Sequence, residues 1–194
     1  MQSLRHIAIV DENPARAAIL EDGLRDAGFD NFVHINATKN LVARIHAVNP
    51  DVILIDLETP SRDVLEQMFA FSRVVKRPIA IFVDDSDSAT VQASVDAGVS
   101  AYIVGEIKKE RIRHVLDVCV SRFNAFSRLQ VELDRAKAAL EERKIIDRAK
   151  GVLMATNNLT EDQAYALMRK TAMNENKKIA DIAQSVVTAS DLLK

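Results

Sequence analysis

Through the first hundred residues, short apolar runs alternate with longer amphipathic stretches. The runs are "HIAIV", "FVHI", "VILI", "IAIFV" and "AYIV". They are rich in β-branched residues and mostly continuous rather than alternating. Strands buried on both faces of a parallel sheet have this pattern. The stretches between them run to roughly 15 to 20 residues of helical character, the spacing of βαβ units. The pattern predicts five strands and five helices in a five-stranded, doubly wound parallel sheet over residues 5–120, a flavodoxin-like α/β fold.

Beyond Gly105 the pattern changes. Prolines stand only at 14, 50, 60 and 78, and no Gly or Pro falls between Glu106 and Lys150. With no strong breaker, one helix is expected to leave the sheet domain and run on as an exposed coil. A single helix of ~45 residues would reach ~68 Å. Cys119, Phe126, Leu133 and Leu140 fall seven apart, and Arg122, Leu129, Ala136 and Arg143 fall at the second position of the repeat. Phe126, Leu129, Leu133, Ala136 and Leu140 make an apolar seam, which suits either a coiled-coil homodimer or packing on the chain's own first domain.

The last 50 residues predict two more helices. "TEDQ" at 160–163 has the form of a capping box, with Thr160 capping and Gln163 reaching back. Ala164, Leu167, Met168, Thr171 and Ala172 follow at helical spacing, "NEN" interrupts at 174–176, and Ile179, Ile182, Ala183, Val186 and Val187 form another stripe. With Ile146, Ala149 and Leu153 these stripes can close into a three-helix bundle. Met154, Met168 and Met173 read as core filler. Asn157 and Asn158 suit a left-handed helix end. The expected layout is residues 1–120 as the sheet domain, 121–142 as a coiled-coil linker and 143–194 as the bundle.

Charge separates the two ends. Residues 1–120 carry 13 Lys+Arg against 18 Asp+Glu, while residues 143–194 carry nine against six. A basic module beside an acidic one points to a polyanionic partner for the basic part, or to nothing more than solvated helix faces. The single cysteine, Cys119, excludes an intrachain disulfide framework. No apolar run approaches the ~20 residues of a membrane span. "MQSLRHIAIVDENP" lacks the features of a signal peptide, so a cytoplasmic location is expected. No nucleophile–His–acid set stands out, since His6, His34, His46 and His114 are scattered, and no enzyme activity is expected.

Asp11 and Glu12 follow the first strand and Asp56 follows the third. Side chains at the carboxyl ends of neighbouring parallel strands converge on one crevice. Carboxylates gathered there repel one another unless a cation joins them, and Mg²⁺ suits oxygen ligands. A carboxylate beside such an ion can attack a phosphoryl group to give an aspartyl phosphate. Turn formation or helix capping, by Asp11 or Asn13, is the alternative use of these residues.

Residues 5–120 resemble the receiver domain of bacterial response regulators. Asp11–Glu12, Asp56 with Pro60 four residues on, and "DAGVSAYIV" at 96–104 carry the resemblance. It implies Asp56 as phosphate acceptor, with Asp11, Glu12, Asp56 and the backbone carbonyl of Glu58 holding Mg²⁺. Two places depart from the family pattern. The Ser or Thr that ends the fourth strand is Val83, and the Lys–Pro pair after the fifth is Gly105–Glu106, with Lys108 and Lys109 out of register. Valine donates no hydrogen bond and glycine has no charge. Control mainly by a protein partner is therefore expected. Phosphorylation of Asp56 by a histidine kinase is the alternative.

"ERKIIDRAKGVLM", "TEDQAYALMRKTAM" and "NENKKIADIAQSVV" resemble, in order, the ANTAR domain, a three-helix RNA-binding module of transcription antiterminators. The full layout is similar to NasT-type regulators of nitrate and nitrite assimilation, with AmiR-like organisation. That resemblance implies leader mRNA hairpins as target, a NasS-like ligand-sensing protein as partner and prevention of a terminator hairpin. Sequence-specific RNA readers target loops with accessible bases, and cations supply the phosphate contacts. Arg143, Lys144, Arg148, Lys150, Arg169 and Lys170 lie off the apolar stripes and are the candidate RNA contacts. Tyr165 borders a stripe and either stacks on a base or closes the core edge.

Overall fold

The computed structural model describes residues 6–36 and 40–192. The first five residues of the N-terminal stretch lie outside them. The chain folds as two compact units, Met1–Ser127 and Arg128–Lys194.

In the first unit the continuous apolar runs become strands with both faces covered. They are β1 Ile7–Val10, β2 Phe32–Ile35, β3 Val52–Asp56, β4 Ile79–Val83 and β5 Ala101–Val104. All pair parallel in the order β2-β1-β3-β4-β5. The helices are α1 Pro14–Asp26, α2 Leu41–Val48, α3 Arg62–Val74, α4 Ser88–Asp96 and, after a 3-10 turn at Lys109–Arg111, the start of α5, Ile112–Asn157. Side chains alternate across the pleat. Ile7, Ile9, Leu54 and Phe82 pack with Leu20 and Leu24 of α1 and Ile112 and Leu116 of α5. Ala8, Val10, Ile53, Ile55 and Ile81 face the other way, onto Leu41 and Ile45 of α2 and Met68 and Phe71 of α3. Val10 pairs with Ile55, so the residues that follow, Asp11 and Asp56, emerge side by side where the connections reverse direction.

α5 is a single element of 46 residues, as the absence of breakers predicts. Cys119, a member of the sequence heptad, is instead buried in the core of the sheet unit. The exposed part of the seam begins at Phe126 and continues through Leu129, Leu133 and Leu140.

The second unit contains the later part of α5 with α6 Glu161–Glu175 and α7 Ile179–Leu192. Asn158 takes a left-handed conformation just past α5, and Asn176 does so after α6. The capping box forms in full, Thr160 Oγ1 accepting from the Gln163 N–H and Gln163 Oε1 from the Thr160 N–H. Ala149, Met168, Ala172, Ile182, Ala183 and Val187 make the core, with Ile146 and Leu153 packed against it. Three expected core members lie outside. Leu167 is exposed, because Ala164, Met168 and Ala172, four apart, claim the inner line of α6. Met173, nine residues from Ala164, falls about half a turn away at ~100° per residue and is 72% exposed. Met154, five residues past Ala149, is turned outward for the same reason. Among the described residues no helix is long and apolar enough to cross a membrane.

Candidate functional site

The crevice at the carboxyl ends of β1 and β3 is acidic by sequence and contains a cation. Asn13 caps α1 by accepting from the Ala15 N–H, and Pro14 follows with its φ already suited to a first helical turn. This fixes the first turn of α1 over the strand ends and brings Arg16 into the crevice. Arg16 Nε donates to Asp56 Oδ2 at 2.6 Å and its Nη2 to Asp56 Oδ1 at 2.9 Å. Its Nη1 donates to Asp84 Oδ1 at 2.9 Å and lies 3.7 Å from Glu58 Oε1. The pair is enclosed, with side-chain exposure of 17% for Arg16 and 1% for Asp56. Bidentate guanidinium–carboxylate contacts are the strong and geometrically specific kind. The Asp56 hydrogen bond is the largest cause of an Arg16 pKa raised above its already high ordinary value, so the cation is permanent.

The remaining groups are built around that pair. Glu58 sits in the left-handed region at φ 54°, and its N–H donates to Asp56 Oδ1 at 3.1 Å. Its carbonyl accepts from the Asp84 N–H at 2.8 Å, and its Oε1 from Asn13 Nδ2 at 3.2 Å. Asp11 is buried; its Oδ1 accepts from the Asn13 N–H at 2.7 Å, while Oδ2 has no hydrogen-bond partner. Burial pushes the Asp11 carboxyl above the usual carboxylate range; the Asn13 N–H opposes this, and the charge of Asp56 adds to it. His34 Nε2 lies 3.0 Å from the Asp11 carbonyl oxygen. Glu12 is exposed.

Of the four ligands implied for Mg²⁺, the structure brings Asp11, Asp56 and Glu58 to one crevice. They do not fit that ion as arranged. Both Asp56 oxygens are taken by Arg16, and the Glu58 carbonyl already accepts a backbone hydrogen bond. Among the described residues no three His, Cys, Asp or Glu side chains converge as a metal-binding group. Val83 is fully buried at the end of β4, and Gly105 follows β5 at φ 104°. Lys109 pairs with Asp26 at 3.2 Å, at the far end of α1 from Arg16. Sequence reasoning missed Arg16 and Asp84. A signal existed: a cation in the first turn of a helix opposes the positive end of the helix dipole, and Asp84 stands directly after a strand.

In the second unit the six candidate RNA cations divide into two sets. Those on α5 are paired. Arg143 lies 4.0 Å from Asp147, and Lys144 lies 2.7 Å from Glu141. Arg148 Nη2 lies 2.9 Å from both carboxylate oxygens of Asp191 on α7. Lys150 lies 2.6 Å from Asp147 and 2.7 Å from Glu161 on α6, with only 16% of its side chain exposed. Those hydrogen bonds raise its pKa, Asp147 first and Glu161 second. Arg148 and Lys150 thus tie α5 to α7 and to α6. Arg169 and Lys170 on α6 are exposed and make no ion pair among the described residues. With Tyr165, Ala166, Met173 and Asn174 they line a surface depression of about 280 Å³. That is below the roughly 300–1,000 Å³ of a small-molecule pocket. An exposed ring and an exposed thioether beside two cations offer apolar contact to a planar group and charge to a phosphate.

A family model for the response regulator receiver domain matches residues 7–117, and one for the ANTAR domain matches residues 134–187. The chain is 25% identical over 183 residues to the transcriptional regulatory protein PdtaR of Mycobacterium tuberculosis, covering 94% of this chain and 89% of that one. It is 35% identical over 80 residues to a nitrate regulatory protein of Klebsiella oxytoca, covering 41% of this chain and 20% of that one. Its sheet unit superposes on a CheY-like receiver domain protein from Methanospirillum hungatei with a TM-score of 0.51 at 17% identity, covering 63% of this chain and 98% of that one, a likeness of fold alone.

Proposed function

The chain belongs to the response regulator receiver family and carries an ANTAR domain, and from that premise we propose that it is a cytoplasmic transcription antiterminator that binds hairpin loops in leader mRNA and prevents a terminator from forming. The observation that carries the reading is the ANTAR match over residues 134–187, a region in which α6 displays Tyr165, Arg169 and Lys170 to solvent. Loop bases are splayed and accessible, so a ring can stack on one while neighbouring cations hold the phosphates. Arg169 and Lys170 make the first contacts; Arg143 and Lys144, highly exposed and paired only within α5, add to them. Arg148 and Lys150 shape the face and reach RNA only by leaving their carboxylate partners.

In this reading control is exerted mainly by a ligand-sensing protein. The active form is a homodimer joined along Phe126, Leu129, Leu133 and Leu140 of α5, apolar side chains that are exposed in the single chain. Val83 and Gly105, in place of the usual hydroxyl and lysine, support control without a phosphoryl group. Resemblance to nitrate regulators supports an operon of nitrate or nitrite assimilation as the target. Crosslinking the protein to RNA in growing cells and sequencing what is recovered tests the proposal. Paired short hairpins upstream of terminators are expected; recovery of no leader RNA, or of duplex promoter DNA instead, overturns it.

A further inference from the structure

Asp56, the family's phosphate-acceptor position, is neutralised from within the chain. Arg16 gives it two hydrogen bonds, one to each oxygen, and the same guanidinium reaches Asp84 and lies near Glu58. The cation therefore touches carboxylates from the ends of β3 and β4 while being anchored to α1, which starts from the end of β1. The ends of β1 and β3 are where a divalent ion would bring carboxylates together. Glu58 strengthens the arrangement by turning its carbonyl to the Asp84 N–H, which ties the loop after β3 to the loop after β4.

We propose that Arg16 is the resident cation of this receiver, a side chain that takes the place of the divalent metal and closes the acidic crevice to it. A guanidinium tethered to α1 needs no loading from solution and does not leave. Its planar donors match one carboxylate bidentately and leave Nη1 for Asp84. A metal ion entering beside Asp56 would have to displace both hydrogen bonds and would meet a fixed positive charge. Asp11 Oδ2 is buried in the crevice without a hydrogen-bond partner, and it becomes a ligand only when the guanidinium is gone. The inference deepens the reading of a receiver governed by a protein partner, and rests on that reading for its regulatory consequence alone.

The test is Mn²⁺ binding by the full chain, followed through the spin-resonance signal of the free ion and competed with Mg²⁺. Wild type and Asp56→Asn should bind Mn²⁺ alike, since neither offers a site at the crevice. Arg16→Ala should gain about one equivalent bound roughly tenfold tighter or more, displaced by Mg²⁺ and lost again in Arg16→Ala/Asp56→Asn. A wild-type site that disappears in Asp56→Asn overturns the proposal, whether or not Arg16→Ala folds. A folded Arg16→Ala that gains nothing overturns it too. Hairpin RNA binding by the same preparations is read in parallel. Wild-type metal uptake with intact RNA binding sinks this inference alone, and absent RNA binding with the expected metal behaviour sinks the antiterminator reading alone.

Discussion

Cys119 occupies a heptad position in the sequence and the core of the receiver unit in the structure. Burial pushes its thiol up to about 12, with Ser100 and Arg122 pulling the other way. A thiol raised above its unfolded value contributes stability that is complete below the unfolded pKa near 9 and fades as pH rises through the folded one. At pH 8 the native thiolate is scarce and enclosed, so an aromatic disulfide reagent should label Cys119 only as fast as the protein opens; rapid labelling of folded protein would contradict the burial. Arg16 and Asp84 each carry a local signal, but their meeting at Asp56 was not legible in the sequence because it depends on three separate chain segments converging. Asp11 and Asp56 were legible, since each directly follows an apolar run. On α6, Arg169→Ala and Lys170→Ala should each weaken hairpin RNA binding and lower the salt dependence by about one phosphate contact. Lys150→Ala should instead lower the melting temperature, since its two carboxylate partners tie α5 to α6. Salt titrations and thermal melts of the same three variants separate these roles.

At the scale of elements, the most readable features were those with local causes. The five strands came from continuous apolar runs, and α6 begins where Thr160 and Gln163 satisfy each other's backbone. Thr160→Ala should lower unfolding free energy by about 1 kcal/mol, measured by urea titration. The outward turn of Met173 follows from its spacing to Ala164, whereas that of Leu167 was not readable from spacing, because it shares one apolar stripe with Met168 and only packing against α5 and α7 decides which edge is covered. Close packing between elements is equally invisible in sequence. A Cβ on Gly23 of α1 would stand 2.6 Å from Ile112 Cγ1 at the start of α5 and 3.0 Å from Lys109 backbone atoms. Gly23→Ala is therefore expected to destabilise the receiver by about 1–3 kcal/mol, although alanine is the better helix former. An unchanged urea midpoint would show that α1 and α5 can separate at little cost.

At the scale of the molecule, the two units differ in charge and chemistry. The receiver unit has the family's sheet and an acidic crevice that already holds a cation, while the ANTAR unit has a basic, partly apolar helix face. The seam along α5 gives the assembly prediction. Leu133→Asp with Leu140→Asp should abolish dimers in sedimentation experiments, leaving monomers with unchanged helix content, because these side chains are exposed in the single chain. The most direct measurement is the affinity of the full chain for a two-hairpin leader RNA against duplex DNA of equal charge, at one fixed salt concentration. RNA should bind at least about tenfold tighter, and changing the loop bases while keeping the stems should remove the preference. Equal affinity for the two, or a preference for the duplex, would contradict it.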